Sequence, residues 1–160
     1  MRDLVAYTDG ACTLNTTDKN GNSYGIGGYG IVIIENNNII YTYNQSNNNT
    51  TNNAEELKAI AAAINYCKKI NTKFKLQIYS DSAYCVNIFS GPIWAKGWER
   101  NNWTRAKKQP IKNLELIKYI WEDVKKYNII ISKVKGHSDN KYNEMADRLA
   151  VEAKFKIFNI

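Results

Sequence analysis

Cysteine, histidine and long apolar runs are all scarce in this sequence, and two of those scarcities exclude a class of protein. Three cysteines stand among 160 residues, at Cys12, Cys67 and Cys85, an odd number, widely spaced and without a CxxC pair. That pattern excludes a disulfide scaffold and a cysteine zinc cage, and it favours a reducing compartment, so a cytoplasmic location is expected. No apolar run approaches the roughly 18 residues of a membrane span, so no membrane partner is expected. Met1 to Tyr7 has neither a long apolar stretch nor a small-residue cleavage site, and no signal peptide is expected. Histidine occurs once, at His137. Acids are the minority charge: 15 Asp and Glu stand against 22 Lys and Arg, for a formal net charge of +7. Such an excess points to a polyanionic partner, nucleic acid or an anionic membrane surface, and says nothing about fold. What is present, 44% hydrophobic and 23% charged residues, is the composition of a globular chain. Its length suits one domain, residues 1–160, with a core of its own.

The order of patterns sets the fold class. Leu4–Thr8 is short and β-rich and ends in Asp9-Gly10. A polar loop is expected from Thr13 to Gly27. Tyr29–Ile34 and Ile39–Tyr43 read as two strands of a hairpin around Asn36-Asn37-Asn38. Apolar residues then recur at helical spacing from Ala54 to Lys69, through Leu57, Ile60, Ala61 and Ile64. Leu76–Tyr79 is a strand ending at Ser80-Asp81, and Ala83–Phe89 a short helix stopped by Gly91-Pro92. Asn113–Lys126 is helical, Ile129–Val134 a β-branched strand, and Asn143–Lys156 a last helix. Three meander strands followed by α-β-α-β-α imply an α/β (α+β) domain with one mixed sheet and helices packed on it. The asparagine clusters at 36–38 and 47–49 are read as turns.

Four acids stand out. Asp9 and Asp81 each follow a strand, the end at which α/β sheets gather their sites. Either alone reads equally as a turn residue or helix cap. Two on adjacent parallel strands would be a charge cluster that needs a metal or raised pKa values. In TNNAEELKA, Thr51 or Asn52 can cap the helix, and both Glu55 and Glu56 suit its positive N-terminal dipole. Glu56 heads the core-facing stripe of Ile60, Ala63 and Ile64, where an unpaired acid is costly. Glu55 falls nearer the flank with Lys58, Ala59 and Ala62, so Glu56 is the site candidate. Asp147 lies inside a helix, an uncommon place for Asp, either in a solvated ion pair or in a site.

His137 follows the last strand, and the turn residue Gly136 precedes it. It is either an exposed loop residue or a proton carrier beside the carboxylates. The window from Trp94 to Lys108 holds three of the four tryptophans, Trp94, Trp98 and Trp103. It also holds Lys96, Arg100, Arg105, Lys107 and Lys108 against the single acid Glu99, more than half of the net charge. Bases for phosphates and aromatic faces for sugars or bases make it the candidate nucleic-acid contact. Trp94 and Trp98, one helical turn apart, are expected to pack in part.

Together these segments resemble the type 1 ribonuclease H family. YTDGAC, GGYGIVI, TNNAEELKAI, IYSDSAYCVN, the Trp94–Lys108 window with KKQPIKNLEL, VKGHS and NEMADRLA run in family order from residue 5 to about 153. The resemblance implies a five-stranded mixed sheet of order 3-2-1-4-5 with helices on both faces. It also implies endonucleolytic cleavage of RNA within an RNA/DNA hybrid, leaving 5′-phosphate and 3′-hydroxyl ends, by a monomer. Asp9, Glu56, Asp81 and Asp147 match the family's metal-binding carboxylates, and His137 its mobile-loop histidine. Asn52 and Asn53 match residues that read the hybrid's minor groove, with Gly10 and Ala11 giving nearby backbone, and Thr51 matches a contact to a DNA-strand phosphate. Trp94 to Lys108 matches a basic protrusion, found in part of the family, that grips the DNA strand.

The chemistry of the residues agrees with that expectation. An all-carboxylate set suits Mg²⁺ better than zinc, with Mn²⁺ as a substitute, and two such ions can stabilise both oxygens of a phosphodiester displacement. Choice of the RNA strand would follow from its 2′-hydroxyls. Three positions depart from the family pattern. The stretch after Asp9 is longer and lacks the common Asn-Pro-Gly-Pro. Ala83 replaces a glutamine that touches the hybrid, and Asp139 replaces a glycine beside His137. A separate N-terminal hybrid-binding domain is not expected. An integrase-like DNA strand transferase would share the fold, but the TNN and KGH motifs argue against it. A non-catalytic binding module would require a broken acid set.

Overall fold

The computed structural model describes residues 1–70, 72–134 and 140–156. Its sheet is built from β1 (Arg2–Thr17), β2 (Ser23–Glu35), β3 (Asn38–Thr50), β4 (Phe74–Ser80) and β5 (Asn128–Lys133), in the order β3-β2-β1-β4-β5. The first three strands form an antiparallel meander, and β4 and β5 join in parallel. This is the mixed sheet expected. Asn36 and Asn37 turn the β2–β3 hairpin with φ of 52° and 65°, the paired positive values that a right-twisted two-residue turn requires and asparagine tolerates.

Helix α1 (Asn52–Lys69) lays Leu57, Ile60, Ala61 and Ile64 on one face of the sheet, against Leu4, Ala6, Ile31, Ile33, Leu76 and Ile78. The short helices α2 (Ala83–Phe89) and α3 (Trp94–Arg100) and the longer α4 (Leu114–Lys126) add to that layer. Helix α5 (Lys141–Lys156) covers the opposite face over Val32, Ile34, Val5 and Tyr7. Covered on both faces, β2 is buried without a break from Gly27 to Ile34, the reading of a strand between two layers.

Glycine decides how closely α5 approaches. A Cβ on Gly30 would sit 2.5 Å from the carbonyl oxygen of Ala146, and one on Gly28 would sit 2.7 Å from the Ala153 side chain. The helix answers with the small residues Ala146, Ala150 and Ala153, all fully buried.

Two expectations are corrected. The Thr13–Gly27 stretch is no loop: β1 and β2 continue as a paired ribbon to Thr17↔Ser23, closed by a turn over residues 18–22. Alternating polar Thr and Asn residues pair as readily as apolar ones where neither face is buried. The 47–49 asparagines are no turn either. β3 runs through them to Thr50, and Asn49, at φ 51°, sits where the β2–β3 register shifts between Gly25 and Gly27. An asparagine there serves a bulge.

Candidate active site

Strands β1 and β4 are paired up to Thr8↔Ser80. Asp9 and Asp81 are the next residues on each, so they stand side by side where that parallel pairing ends. Asp81 leaves the sheet there, whereas β1 runs on through Asp9, which pairs with Gly30 of β2, and the expectation that Asp9 follows the strand's end is corrected. The third acid arrives on α1. A Cβ on Gly10 would lie 2.5 Å from the backbone nitrogen of Glu56, so only a bare glycine lets the first turn of α1 come down beside Asp9. Carboxylate oxygens of Asp9, Glu56 and Asp81 come within 4.8 Å of one another. Asp9 and Glu56 are buried and Asp81 is exposed. Asp147, on α5, is exposed and lies outside this trio, yet its carboxyl engages that of Asp9. Gly30, the register partner of Asp9, is the residue that admits α5 to that distance.

Burial, followed by the charges of Glu56 and Asp81, pushes the Asp9 carboxyl up to about 10. Burial likewise raises Glu56 to about 8, against the lowering effect of its hydrogen bond with Asp9. Glu56 Oε2 is buried and has no hydrogen-bond partner among the described residues. An orphaned carboxylate oxygen facing two more acids is a set of hard anionic donors lacking a cation, so these residues fit a divalent metal. Glu55 shows the contrast. It is fully buried, not on the flank as its periodicity suggested, because the end of β3 covers it. Asn47 Nδ2 and Thr50 Oγ1 donate to it at 2.7 Å each, and Lys58 pairs with it at 3.0 Å. A carboxylate so fully partnered has no oxygen to spare.

Thr51 is the residue that caps α1, accepting from the Ala54 N–H at 3.1 Å, and Asn52 and Asn53 stand exposed on the turn that follows. Ala11 is half-buried on β1, between Gly10 and the ribbon. A cleft of about 660 Å³ opens between Thr51 and Asn53, Tyr84 of α2, Trp94 and Trp98 of α3, and Arg105 with Lys112. Trp94 is tilted against both Tyr84 and Trp98, with ring centroids 6.0 and 6.2 Å away. Trp98 and Trp103 are half-buried against the core, and Lys118 lies over the Trp103 ring. Lys96 and Lys107 are exposed. His137 and the side chain of Lys108 lie outside the described residues.

Arg105 was named from the sequence within the basic window, whereas Tyr84 and Lys112 were not singled out; Lys112 flanks that window, while Tyr84 carried no such signal. Asn143, one turn before Asp147, was also passed over. Its buried Oδ1 has no partner among the described residues.

A sheet of order 3-2-1-4-5 with carboxylates gathered where the pairing of its two central parallel strands ends defines the ribonuclease H-like fold class. A sequence profile of the family described as RNase H matches residues 1–155. A ribonuclease H of Clostridium botulinum (strain Hall) is 41% identical over 153 residues, covering 96% of each chain. LC9-RNase H1, a type 1 RNase H with the type 2 active-site motif, superposes with a TM-score of 0.79 at 26% identity, over 96% of this chain and 72% of its own. A foamy viral protease-reverse transcriptase in complex with RNA/DNA hybrid superposes over 96% of this chain at the same TM-score of 0.79 and 22% identity, and the match spans 20% of that longer chain. The chain belongs to the RNase H family. It is accordingly an enzyme, an endoribonuclease that hydrolyses phosphodiesters, of a family that depends on metal.

Proposed function

We propose that this chain cuts the RNA strand of RNA/DNA hybrids, leaving 5′-phosphate and 3′-hydroxyl ends, with two Mg²⁺ ions held by Asp9, Glu56, Asp81 and Asp147. The observation that carries the reading is the trio of acids within 4.8 Å, with Glu56 Oε2 buried and unpartnered. When bound, Mg²⁺ (or Mn²⁺ in its place) supplies Lewis-acid stabilisation of the attacking and leaving oxygens and lowers the pKa of water. The chain's own residues do the rest. Asp9 and Glu56, set by the middle of β1 and the first turn of α1, form the buried floor. Asp81 and Asp147 close the set from β4 and α5 and stay open to solvent. Asn52, Asn53 and the backbone at Gly10 and Ala11 read the minor groove, where the 2′-hydroxyls mark the RNA strand. Thr51 takes a DNA-strand phosphate. Trp94, Lys96, Trp98, Trp103, Lys107 and Lys108 hold that strand by stacking and charge. His137 moves a proton near the site or helps the product leave.

The protein acts as a monomer in the cytoplasm, as one domain over 1–160. The three cysteines are free, in keeping with a reducing compartment, and no helix of the described residues is long and apolar enough to cross a membrane.

The test is cleavage of a labelled hybrid beside duplex RNA, duplex DNA and single-stranded RNA in Mg²⁺, with an EDTA control and mapping of the ends. Cutting confined to the hybrid's RNA and abolished by EDTA is expected. Asp81→Asn is expected to abolish cutting while hybrid binding persists. An intact hybrid in both Mg²⁺ and Mn²⁺ would falsify the reading.

A further inference from the structure

Glu55 takes no part in the chemistry proposed above, yet no other charged side chain among the described residues is so fully buried. It lies against the bare backbone of two strands. A Cβ on Gly10 of β1 would sit 2.9 Å from Glu55 Cβ, and one on Gly27 of β2 would sit 2.9 Å from Glu55 Cγ. From β3, Asn47 Nδ2 donates to Oε1 and Thr50 Oγ1 donates to Oε2, while Lys58 of its own helix answers the charge. Asn47 is itself held, because Gln45 Nε2 donates to its Oδ1 at 3.1 Å and the Tyr43 hydroxyl donates to Gln45 Oε1 at 3.1 Å. A line of side-chain hydrogen bonds thus runs along β3 and ends on the Glu55 carboxylate, whose charge strengthens it. Such a buried group is weak ground for stability, since an apolar side chain of similar volume often serves as well. Its best attested use is to fix register.

Register is what this part of β3 lacks by other means. Every residue from Asn44 to Asn53 is Asn, Gln, Ser or Thr, so no apolar pattern specifies how the strand is paired. Between the pairs Gly27↔Asn47 and Gly25↔Thr50, β2 advances two residues and β3 three. Asn48 and Asn49, both exposed, carry the extra residue of this bulge. On the opposite face Asn44 and Ser46 donate to the α5 carbonyls of Leu149 and Ala153, but both precede the bulge. Glu55 is the group that takes one hydrogen bond from each side of it. The residue immediately beyond is Thr51, which caps α1 and lines the cleft with Asn53. Bulges beside active sites re-aim side chains, and a slip of one residue turns a side chain to the other face.

We propose that Glu55 is a positioning residue that closes the β3 bulge and thereby holds Thr51 where it meets a phosphate of the hybrid's DNA strand. This rests on the hybrid being the substrate and on Thr51 contacting it. Glu55→Met fills a similar volume without accepting hydrogen bonds. Its KM for a hybrid is expected to rise about tenfold, with kcat and the Mg²⁺ requirement unchanged because the site acids are untouched. Glu55→Gln can still accept from Asn47 and can donate to the Thr50 hydroxyl, and is expected to keep KM within about twofold of the parent. Asn47→Ala opens the bulge from a half-buried position and is expected to raise KM several-fold, which keeps the proposal testable if Glu55→Met does not fold. In the Asp81→Asn form, Thr51→Ala is expected to weaken hybrid binding, yet to add little once Glu55→Met is present. Unchanged KM in the folded Glu55→Met and Asn47→Ala proteins overturns the proposal. Full additivity with Thr51→Ala overturns it as well. So does a fall in kcat or a shifted Mg²⁺ requirement at unchanged KM, since Glu55 would then be steadying Glu56. Equal affinity of the intact protein for hybrid and duplex DNA overturns instead the hybrid reading beneath it.

Discussion

At the scale of single residues, Glu55 and Glu56 show that neighbouring acids can have opposite fates. Glu55 accepts two short hydrogen bonds and an ion pair. Glu56 keeps a bare buried oxygen beside Asp9 and Asp81. That leaves the metal-free site a destabilising element with a definite pH dependence. The Asp9 carboxyl is raised from 3.8 to about 10 and Glu56 from 4.5 to about 8. Between the unfolded and folded values the native state binds more protons than the unfolded one, so stability falls as pH rises. The contribution of these groups is fully present below about pH 4 and is lost progressively as pH climbs toward the folded values. In EDTA the protein is expected to melt lower at pH 8 than at pH 5, and Mg²⁺ is expected to narrow the gap. Asp9→Asn is expected to stabilise the metal-free protein at pH 8 by about 1–2 kcal/mol, a few degrees in Tm, because the neutral amide does not need the proton that folding forces onto the buried carboxyl at that pH. Thermal melts at the two pH values, with and without Mg²⁺, check both. A lower Tm for the variant in EDTA would refute the argument.

At the scale of elements, the site depends on helices approaching the sheet more closely than side chains normally allow. Gly10 admits the first turn of α1, and Gly30 admits α5 and with it Asp147. Gly30→Ala would drive a methyl group into the Ala146 carbonyl and the Leu149 side chain, where little can give way. Overpacking of this kind costs about 1–3 kcal/mol. Activity is expected to fall further than stability explains, because α5 would carry Asp147 away from Asp9. Denaturant unfolding set beside kcat at a temperature where the variant stays folded separates the two effects. Full activity in a destabilised variant would show that the spacing of α5 does not matter to the site.

At the scale of the whole molecule, the net charge of +7 divides into two opposed regions. The acids converge at one point. The bases concentrate around α3 and the segment after it, where Lys96 and Lys107 are exposed and Arg105 and Lys112 line the cleft. Excess positive charge away from the acids draws in a polyanion and positions it, and the slope of affinity against salt counts the phosphates engaged. Lys96→Ala with Lys107→Ala is expected to reduce that slope by about 2 in the log–log plot, near one unit per lost phosphate contact. Hybrid binding by the Asp81→Asn form across a salt series reads it. An unchanged slope would remove those lysines from the interface.

Much of this was legible in one dimension. β-branched runs, helical spacing and the Asn36-Asn37 turn depend on neighbours a few residues away, so the elements could be read locally. The sheet order and the four acids followed from the ordered motifs of a known family. Asp81 was visible as an acid that follows a strand and Glu56 as an acid heading a buried stripe, while Asp9, read as following its strand, lies within β1, which continues to Thr17. What the sequence alone did not disclose depends on contacts between distant segments. Glu55 is buried because β3 closes over α1. Tyr84 and Lys112 share a cleft with Thr51 only once α2 and the start of α4 are packed. Alternating Thr and Asn residues after Asp9 carry no apolar signal, so the ribbon became visible only through its backbone pairing. Local chemistry determined which residues form the elements and which acids stand out on them. Tertiary packing decided which of those acids meet, because their approach depends on glycines and alanines that draw no attention until two surfaces are brought together.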